Sequence, residues 1–121
     1  MEKSILIVDD SETIRETVSF TLENAQYKVQ KAVDGEDALQ LLDKHQYQLI
    51  ITDLHMPRLD GIGLIKAIRA REAHQFTPIL FLTTESQTSR KDEARAAGAT
   101  GWIVKPFVPE KLVAVVQKLI R

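Results

Sequence analysis

Ser4-Ile5-Leu6-Ile7-Val8-Asp9-Asp10 is a short aliphatic run, mostly β-branched, that stops on two carboxylates. A continuous apolar run of this length reads as a strand covered by helices on both faces; a half-exposed strand would alternate apolar and polar. The period then changes. Ile14, Val18, Leu22 and Ala25 recur at spacings of four, four and three, which is one face of a helix. The pattern repeats down the chain. Lys28 to Ala32 reads as a shorter, more polar strand, Asp34-Gly35 as a turn, and Ala38, Leu41 and Leu42 as a second helix. Leu49-Ile50-Ile51-Thr52 is a third strand ending at Asp53, and Gly61 to Ala70 a helix carrying Leu64, Ile65 and Ile68. Gly61-Ile62-Gly63 itself reads as a turn. Ile79-Leu80-Phe81-Leu82-Thr83 follows Pro78 as the fourth strand, and residues 88–97 form a helix with alanines but no large apolar side chain. Gly101-Trp102-Ile103-Val104 is the fifth strand, ending at Lys105-Pro106. Pro109 suits the start of a last helix built on Leu112, Val115, Val116 and Leu119.

Five successive βα units predict an α/β fold, a three-layer sandwich with a parallel sheet and right-handed crossovers. The 121 residues are expected to form a single domain over 1–121, with no linker and no room for an effector domain. The chain has no cysteine, which excludes disulfides, thiolate metal sites and cysteine nucleophiles. Its longest apolar run, Leu112 to Val116, is too short to span a bilayer, so no membrane association is expected. Only four apolar residues, Ile5 to Val8, follow the N-terminus, which is no secretory signal; the expected location is cytoplasmic. The 16 basic and 17 acidic residues give a net charge of −1, without the basic excess that broad nucleic-acid binding needs.

The strand ends carry the chemistry. The first ends in Asp9 and Asp10, the third in Asp53, the fourth in Thr83 and the fifth in Lys105. In an open α/β sheet, ligands bind outside the carboxyl ends of the strands. Two carboxylates about 5 Å apart repel by about 3 kcal/mol at an effective dielectric near 20. Three together call for a cation. Oxygen ligands without histidine or cysteine favour Mg²⁺ or a similar hard ion over zinc.

Each residue has a plainer reading on its own. Asp10 suits a helix N-cap, Asp53 a turn, Thr83 a strand former and Lys105 a surface lysine. Four of five strands ending in complementary polar groups at one edge is what separates a site from coincidence. His45, His55 and His74 lie on different elements and make no cluster. No G-x-G-x-x-G follows the first strand, and no G-x-x-x-x-G-K-[ST] occurs, so dinucleotide and P-loop sites are absent.

Four stretches, in order, resemble the receiver domain of two-component response regulators across the whole chain. They are Val8-Asp9-Asp10-Ser11, Thr52 through Gly61, Leu82-Thr83-Thr84-Glu85, and Gly98 through Phe107. Thr83-Thr84-Glu85-Ser86 and Pro109-Glu110-Lys111-Leu112 are most similar to the stand-alone chemotaxis regulators of the CheY type. The resemblance implies a flavodoxin-like (βα)5 fold with strand order 2-1-3-4-5 and a cis Lys105-Pro106 bond. It implies that Asp53 is the phosphoacceptor, taking a phosphoryl group from a sensor histidine kinase of chemotaxis type. It further implies Mg²⁺ held by Asp9, Asp10, Asp53 and the backbone carbonyl of His55, with Thr83 and Lys105 on the phosphoryl oxygens.

In the family, Thr83 and Trp102 would form the switch: the threonine moves toward the phosphoryl group and the aromatic turns in behind it. The face of the fourth helix, fifth strand and fifth helix would then bind an output protein, in chemotaxis a flagellar motor switch protein. The implied protein is monomeric, is served by a phosphatase, and catalyses only its own phosphorylation and dephosphorylation. Thr84 stands where the family most often has Ala or Gly, and His55 at a position that varies; both bear on phosphoryl lifetime. A phosphoryl shuttle or sink between histidine-bearing proteins is the alternative. A Mg²⁺-dependent phosphohydrolase would carry an acid where His55 stands, and a flavin carrier would want a Ser/Thr/Gly-rich loop where Asp9-Asp10 stands.

Overall fold

Ile5 and Ile7 pack to one side of the sheet and Leu6 and Val8 to the other, and all four are buried. That double burial is what the unbroken apolar run predicts. The computed structural model describes residues 3–56, 59–84 and 88–120. Along the chain the elements are β1 (Ser4–Val8), α1 (Glu12–Asn24), β2 (Lys28–Ala32), α2 (Gly35–Lys44), β3 (Leu49–Thr52) and α3 (Gly61–Arg69). A 3-10 turn (Glu72–His74) then leads to β4 (Ile79–Thr83), α4 (Thr88–Ala97), β5 (Gly101–Val104) and α5 (Pro109–Leu119). The five strands are parallel, in the order β2-β1-β3-β4-β5. The strand boundaries and the order agree with the sequence reading.

Two apolar cores flank the sheet. On one side Leu6, Val8, Ile50 and Phe81 meet Leu42 of α2, Leu64, Ile65 and Ile68 of α3, and Ala94 of α4. On the other, Ile7, Ile51, Leu80 and Leu82 meet Val18 and Leu22 of α1 and Leu112 and Val116 of α5. Each fully buried Leu, Ile or Val contributes about 1.5–3 kcal/mol. α4 is the exception, since Ala94 is its one fully buried residue among those described. A helix docked by a methyl group is the weakest-held part of its layer. Among the described residues, no helix is long and apolar enough to cross a membrane.

Several local expectations need correcting. Asp34-Gly35 is not a free turn: Asp34 caps α2, its side chain accepting from the Asp37 amide at 2.8 Å. Gly61-Ile62-Gly63 is the first turn of α3, capped by Asp60, whose Oδ1 accepts from the Gly63 amide at 2.8 Å. Ala25 and Ala70, helical by sequence pattern, lie one residue beyond α1 and α3 as their C-caps. β5, apolar in sequence, is an edge strand: Gly101, Trp102 and Ile103 are half-buried and Val104 is exposed. The Lys105-Pro106 bond is cis, as the family resemblance implied.

Candidate functional site

Asp9, Asp53 and Lys105 each stand one residue beyond a strand, and the ladder still holds them. The Asp9 amide donates to Ala32 O at 3.2 Å, that of Asp53 to Val8 O at 3.1 Å, and that of Lys105 to Thr83 O at 2.8 Å. Their side chains therefore leave from fixed backbone at one edge of the sheet, Asp9 and Asp53 from the neighbouring strands β1 and β3 and Lys105 from β5, beyond β4. The carboxylates of Asp9, Asp10 and Asp53 offer ligand atoms all within 4.8 Å of one another. Lys105 Nζ reaches Asp9 Oδ2 at 2.9 Å and Asp53 Oδ2 at 3.3 Å.

The three acids differ in surroundings. Asp9 is buried; its Oδ1 accepts from the Ser11 amide at 2.9 Å while Oδ2 takes Lys105. Asp10 is exposed, on the loop into α1. Asp53 is half-buried, and among the described residues its Oδ1 has only a long contact, 3.4 Å, from the His55 amide. Burial pushes the Asp9 carboxyl above its ordinary range; the Lys105 ammonium and the Ser11 amide pull it back, and Asp53 adds to the rise. Burial alone would lower Lys105, but Asp9 and Asp53 outweigh it and hold the ammonium above its ordinary value. One ammonium serves two carboxylates, which is why its charged form is favoured despite burial.

Three carboxylates against one ammonium leave two negative charges. That deficit and the all-oxygen donor set fit a hard divalent cation such as Mg²⁺. His55, whose carbonyl completes the ligand set implied by resemblance, is exposed and meets the cluster through its amide. Thr83 is fully buried at the end of β4, and Thr84 beside it is exposed. Trp102 pairs with Phe81 across β4 and β5, its ring centroid 5.3 Å away at 60°, and Lys91 Nζ lies 5.9 Å from its centre. Thr83, two residues on from Phe81, faces the same side of the sheet. Pro57-Arg58 and Glu85-Ser86 of the quoted motifs lie outside the described residues.

Sequence reasoning gave three contributors no role. Ser11, not Asp10, caps α1, its Oγ accepting from the Ile14 amide at 3.3 Å; a serine one residue before a helical pattern is the signal for this. Gly61 passes so close to the end of β3 that an added Cβ would lie 2.6 Å from Asp53 O and 2.5 Å from Phe81 Cε1. Arg15 donates from Nη1 to the main-chain oxygen of Asp9 at 2.7 Å.

Comparison with known proteins agrees with this geometry. The model of the response regulator receiver domain matches residues 5–117. The transcriptional regulatory protein SrrA of Staphylococcus aureus is 37% identical over all 121 residues, which cover 49% of its length. The chain thus spans about half the length of the curated relatives it matches. The chemotaxis protein CheY4 of Vibrio cholerae is 45% identical, with a TM-score of 0.95 over 98% of this chain and 99% of that one. The receiver domain of the sensor histidine kinase PA1611 of Pseudomonas aeruginosa is 28% identical, with a TM-score of 0.91 over 99% and 98% of the two chains. Its structure holds a magnesium ion in the active site cleft. With its motifs at the ends of a sheet ordered 2-1-3-4-5 and a match running nearly end to end, the chain belongs to the response regulator receiver domain family of two-component signalling.

Proposed function

We propose that Asp53 accepts a phosphoryl group from a phosphohistidine on a sensor histidine kinase, and that the change is read by another protein at the α4–β5–α5 face. The carrying observation is the contrast among the three acids. Asp9 has both oxygens engaged and is buried, and Asp10 stands outside on a loop. Asp53 alone is fixed at a strand end with an oxygen only loosely held. That oxygen attacks phosphorus, the P–N bond breaks, and its electron pair returns to a ring protonated on the other nitrogen, so a neutral imidazole leaves. The product is an acyl phosphate, the outcome of covalent catalysis by a carboxylate.

Mg²⁺, held by Asp9, Asp10, Asp53 and the His55 carbonyl, would neutralise charge on the transferred oxygens. Lys105 turns from the Asp53 carboxylate to a phosphoryl oxygen, which carries more charge, and Thr83 supplies a hydroxyl donor. The chain would catalyse only its own phosphorylation and hydrolysis, with a partner phosphatase to shorten the signal. The likeness to CheY4 supports a chemotaxis output, with a flagellar motor switch protein as the reader.

The test is labelling by a small phosphodonor such as acetyl phosphate, with and without Mg²⁺. Asp53→Asn should abolish the label, since an amide is a poor nucleophile, and Asp10→Ala should weaken Mg²⁺ binding and slow labelling without unfolding the chain. Full labelling of Asp53→Asn overturns the assignment. Binding of the phosphorylated protein to a motor switch protein tests the output, and its absence removes the chemotaxis reading while leaving the acceptor intact.

A further inference from the structure

We propose that Arg15 is a positioning residue for the metal-binding carboxylates, acting through the Asp9–Asp10 peptide plane; this rests on the metal reading above. Arg15 lies on the first turn of α1, half-buried, six residues from its acceptor, and Nη1 donates to Asp9 O at 2.7 Å. A carbonyl oxygen shares its rigid plane with the next amide. Fixing Asp9 O therefore fixes the direction in which the chain enters Asp10.

The other bonds around Asp9 leave the plane of the Asp9–Asp10 peptide to this one. Its amide is held by Ala32 O at 3.2 Å, its Oδ1 by the Ser11 amide at 2.9 Å and its Oδ2 by Lys105 at 2.9 Å. The Ala32 and Lys105 bonds fix Asp9 itself, while the Ser11 bond spans Asp10 and orients the peptide that follows it. Asp10 is exposed, and no hydrogen bond to its carboxylate is seen among the described residues, yet this carboxylate must stay within 4.8 Å of the other two. On the strand side Asp10 is restrained by the Asp9–Asp10 peptide plane, and Arg15 is the side chain seen among the described residues to hold that plane. On the helix side Ser11 begins α1, and the Arg15 amide donates to Ser11 O at 3.0 Å. Arg15 thus brackets Asp10, with its backbone in the helix that follows and its side chain on the strand end that precedes.

The role is geometric. The guanidinium bonds a main-chain oxygen and no carboxylate of the cluster, so its effect on the metal should survive salt that screens distant charge. Partners that orient metal ligands typically contribute about 10–100-fold to metal affinity. An arginine reaching through one peptide to an exposed loop residue belongs near the lower end, about tenfold.

The experiment uses the full chain with Arg15→Met and Arg15→Gln, side chains that keep helix propensity but cannot reach Asp9 O. Mg²⁺ binding is measured by calorimetry at low and at high KCl. Backbone amide spectra of the metal-free proteins are compared with wild type. The expected result is roughly tenfold weaker Mg²⁺ binding at both salt concentrations, with unchanged melting temperature. In the metal-free spectra the Asp10 amide should shift more than those of α1, because it shares the peptide that loses its bond.

Affinity within about twofold of wild type in folded variants overturns the proposal, as does a loss that disappears at high salt. An unmoved Asp10 amide overturns it independently of any metal. If wild type itself shows no saturable Mg²⁺ binding, the metal reading falls, and this proposal with it.

Discussion

Lys105 Nζ stands 2.9 Å from Asp9 Oδ2, joining residues 96 apart in sequence at the ends of β5 and β1. Both side chains are nearly dry, 11% and 3% exposed, and the same ammonium touches Asp53. Among the described residues it is the one cation seen to contact a carboxylate of the cluster.

Removing that ammonium should therefore destabilise the metal-free protein. Breaking a buried pair typically costs ~3–5 kcal/mol. Asp9 can relieve part of this by taking up a proton, because burial already favours its neutral form. Lys105→Met should lose about 1–3 kcal/mol in denaturant melts with EDTA. It should keep its Mg²⁺ affinity, since the oxygens that Lys105 vacates are those a cation would use. Unchanged metal-free stability would show that the ion pair is energetically idle.

Gly61→Ala tests how closely α3 abuts the acceptor. Alanine should gain about 1 kcal/mol of helix propensity over glycine. Against that, the new Cβ would meet Asp53 O at 2.6 Å and Leu54 Cα at 2.8 Å, backbone atoms that no rotamer change can move. Phe81 Cε1, at 2.5 Å, would have to shift as well. Overpacking costs about 1–3 kcal/mol and occasionally more. The clash should win, giving a net loss of about 1–2 kcal/mol and slower labelling of Asp53. A stabilised, normally labelled variant would mean that α3 moves away without consequence.

Much of this was legible in the sequence, and the exceptions share a cause. The unbroken runs at Ile5, Ile50 and Leu80 declared buried parallel strands because both faces need covering. Once the strands are parallel, Asp9, Asp53 and Lys105 all lie at the same edge of the sheet. β5 deceived because Gly101-Trp102-Ile103-Val104 is as apolar as its neighbours, while its position at the sheet edge depends on strand order, which local pattern does not encode. Arg15 was missed because its partner is a main-chain oxygen, and every residue has one. Gly61 looked like a turn because its tight contact with Asp53 O is tertiary, set by where α3 lands on β3.

His74 gives a pH dependence away from the acidic cluster. It is buried, with Nδ1 3.2 Å from Thr77 Oγ1 and no hydrogen bond to Nε2 among the described residues. Burial pulls its pKa down, and the positive charges of Arg71 and Arg69 add to this against opposing backbone groups of His45 and Leu42. The folded protein then keeps the ring neutral at a pH where the unfolded chain, near an ordinary value of about 6.5, has taken up a proton. The unfolded state binds more protons, so stability rises with pH and falls as pH drops below about 6.5. The slope should approach about 1.4 kcal/mol per pH unit until the folded pKa is reached. His74→Leu should flatten the stability profile between about pH 6.5 and 5, above the ordinary carboxylate range. An unchanged slope would mean that the ring is already charged in the fold.

Trp102 is the natural reporter of whether the site and the proposed α4–β5–α5 output face communicate. Its indole packs against Phe81 at 5.3 Å, beneath Lys91, on the α4 side of the sheet. Thr83 ends the strand that carries Phe81 and faces the same side, so moving its side chain toward Asp53 alters the space beside the Phe81–Trp102 pair. The residue next to the acceptor is Leu54, which cannot report by fluorescence, and Trp102 is the only tryptophan. Mg²⁺ alone should therefore change the emission little, while Mg²⁺ with beryllofluoride, a phosphoryl mimic, should shift it clearly. Thr83→Ala should still bind the mimic but lose most of the shift, because the side chain proposed to couple Asp53 to the indole is gone. A large response to Mg²⁺ with nothing further on adding the mimic would show that the indole senses the metal site directly. A full shift in Thr83→Ala would place the coupling in α4 itself, which among the described residues buries only Ala94 fully and so is the easiest element to move.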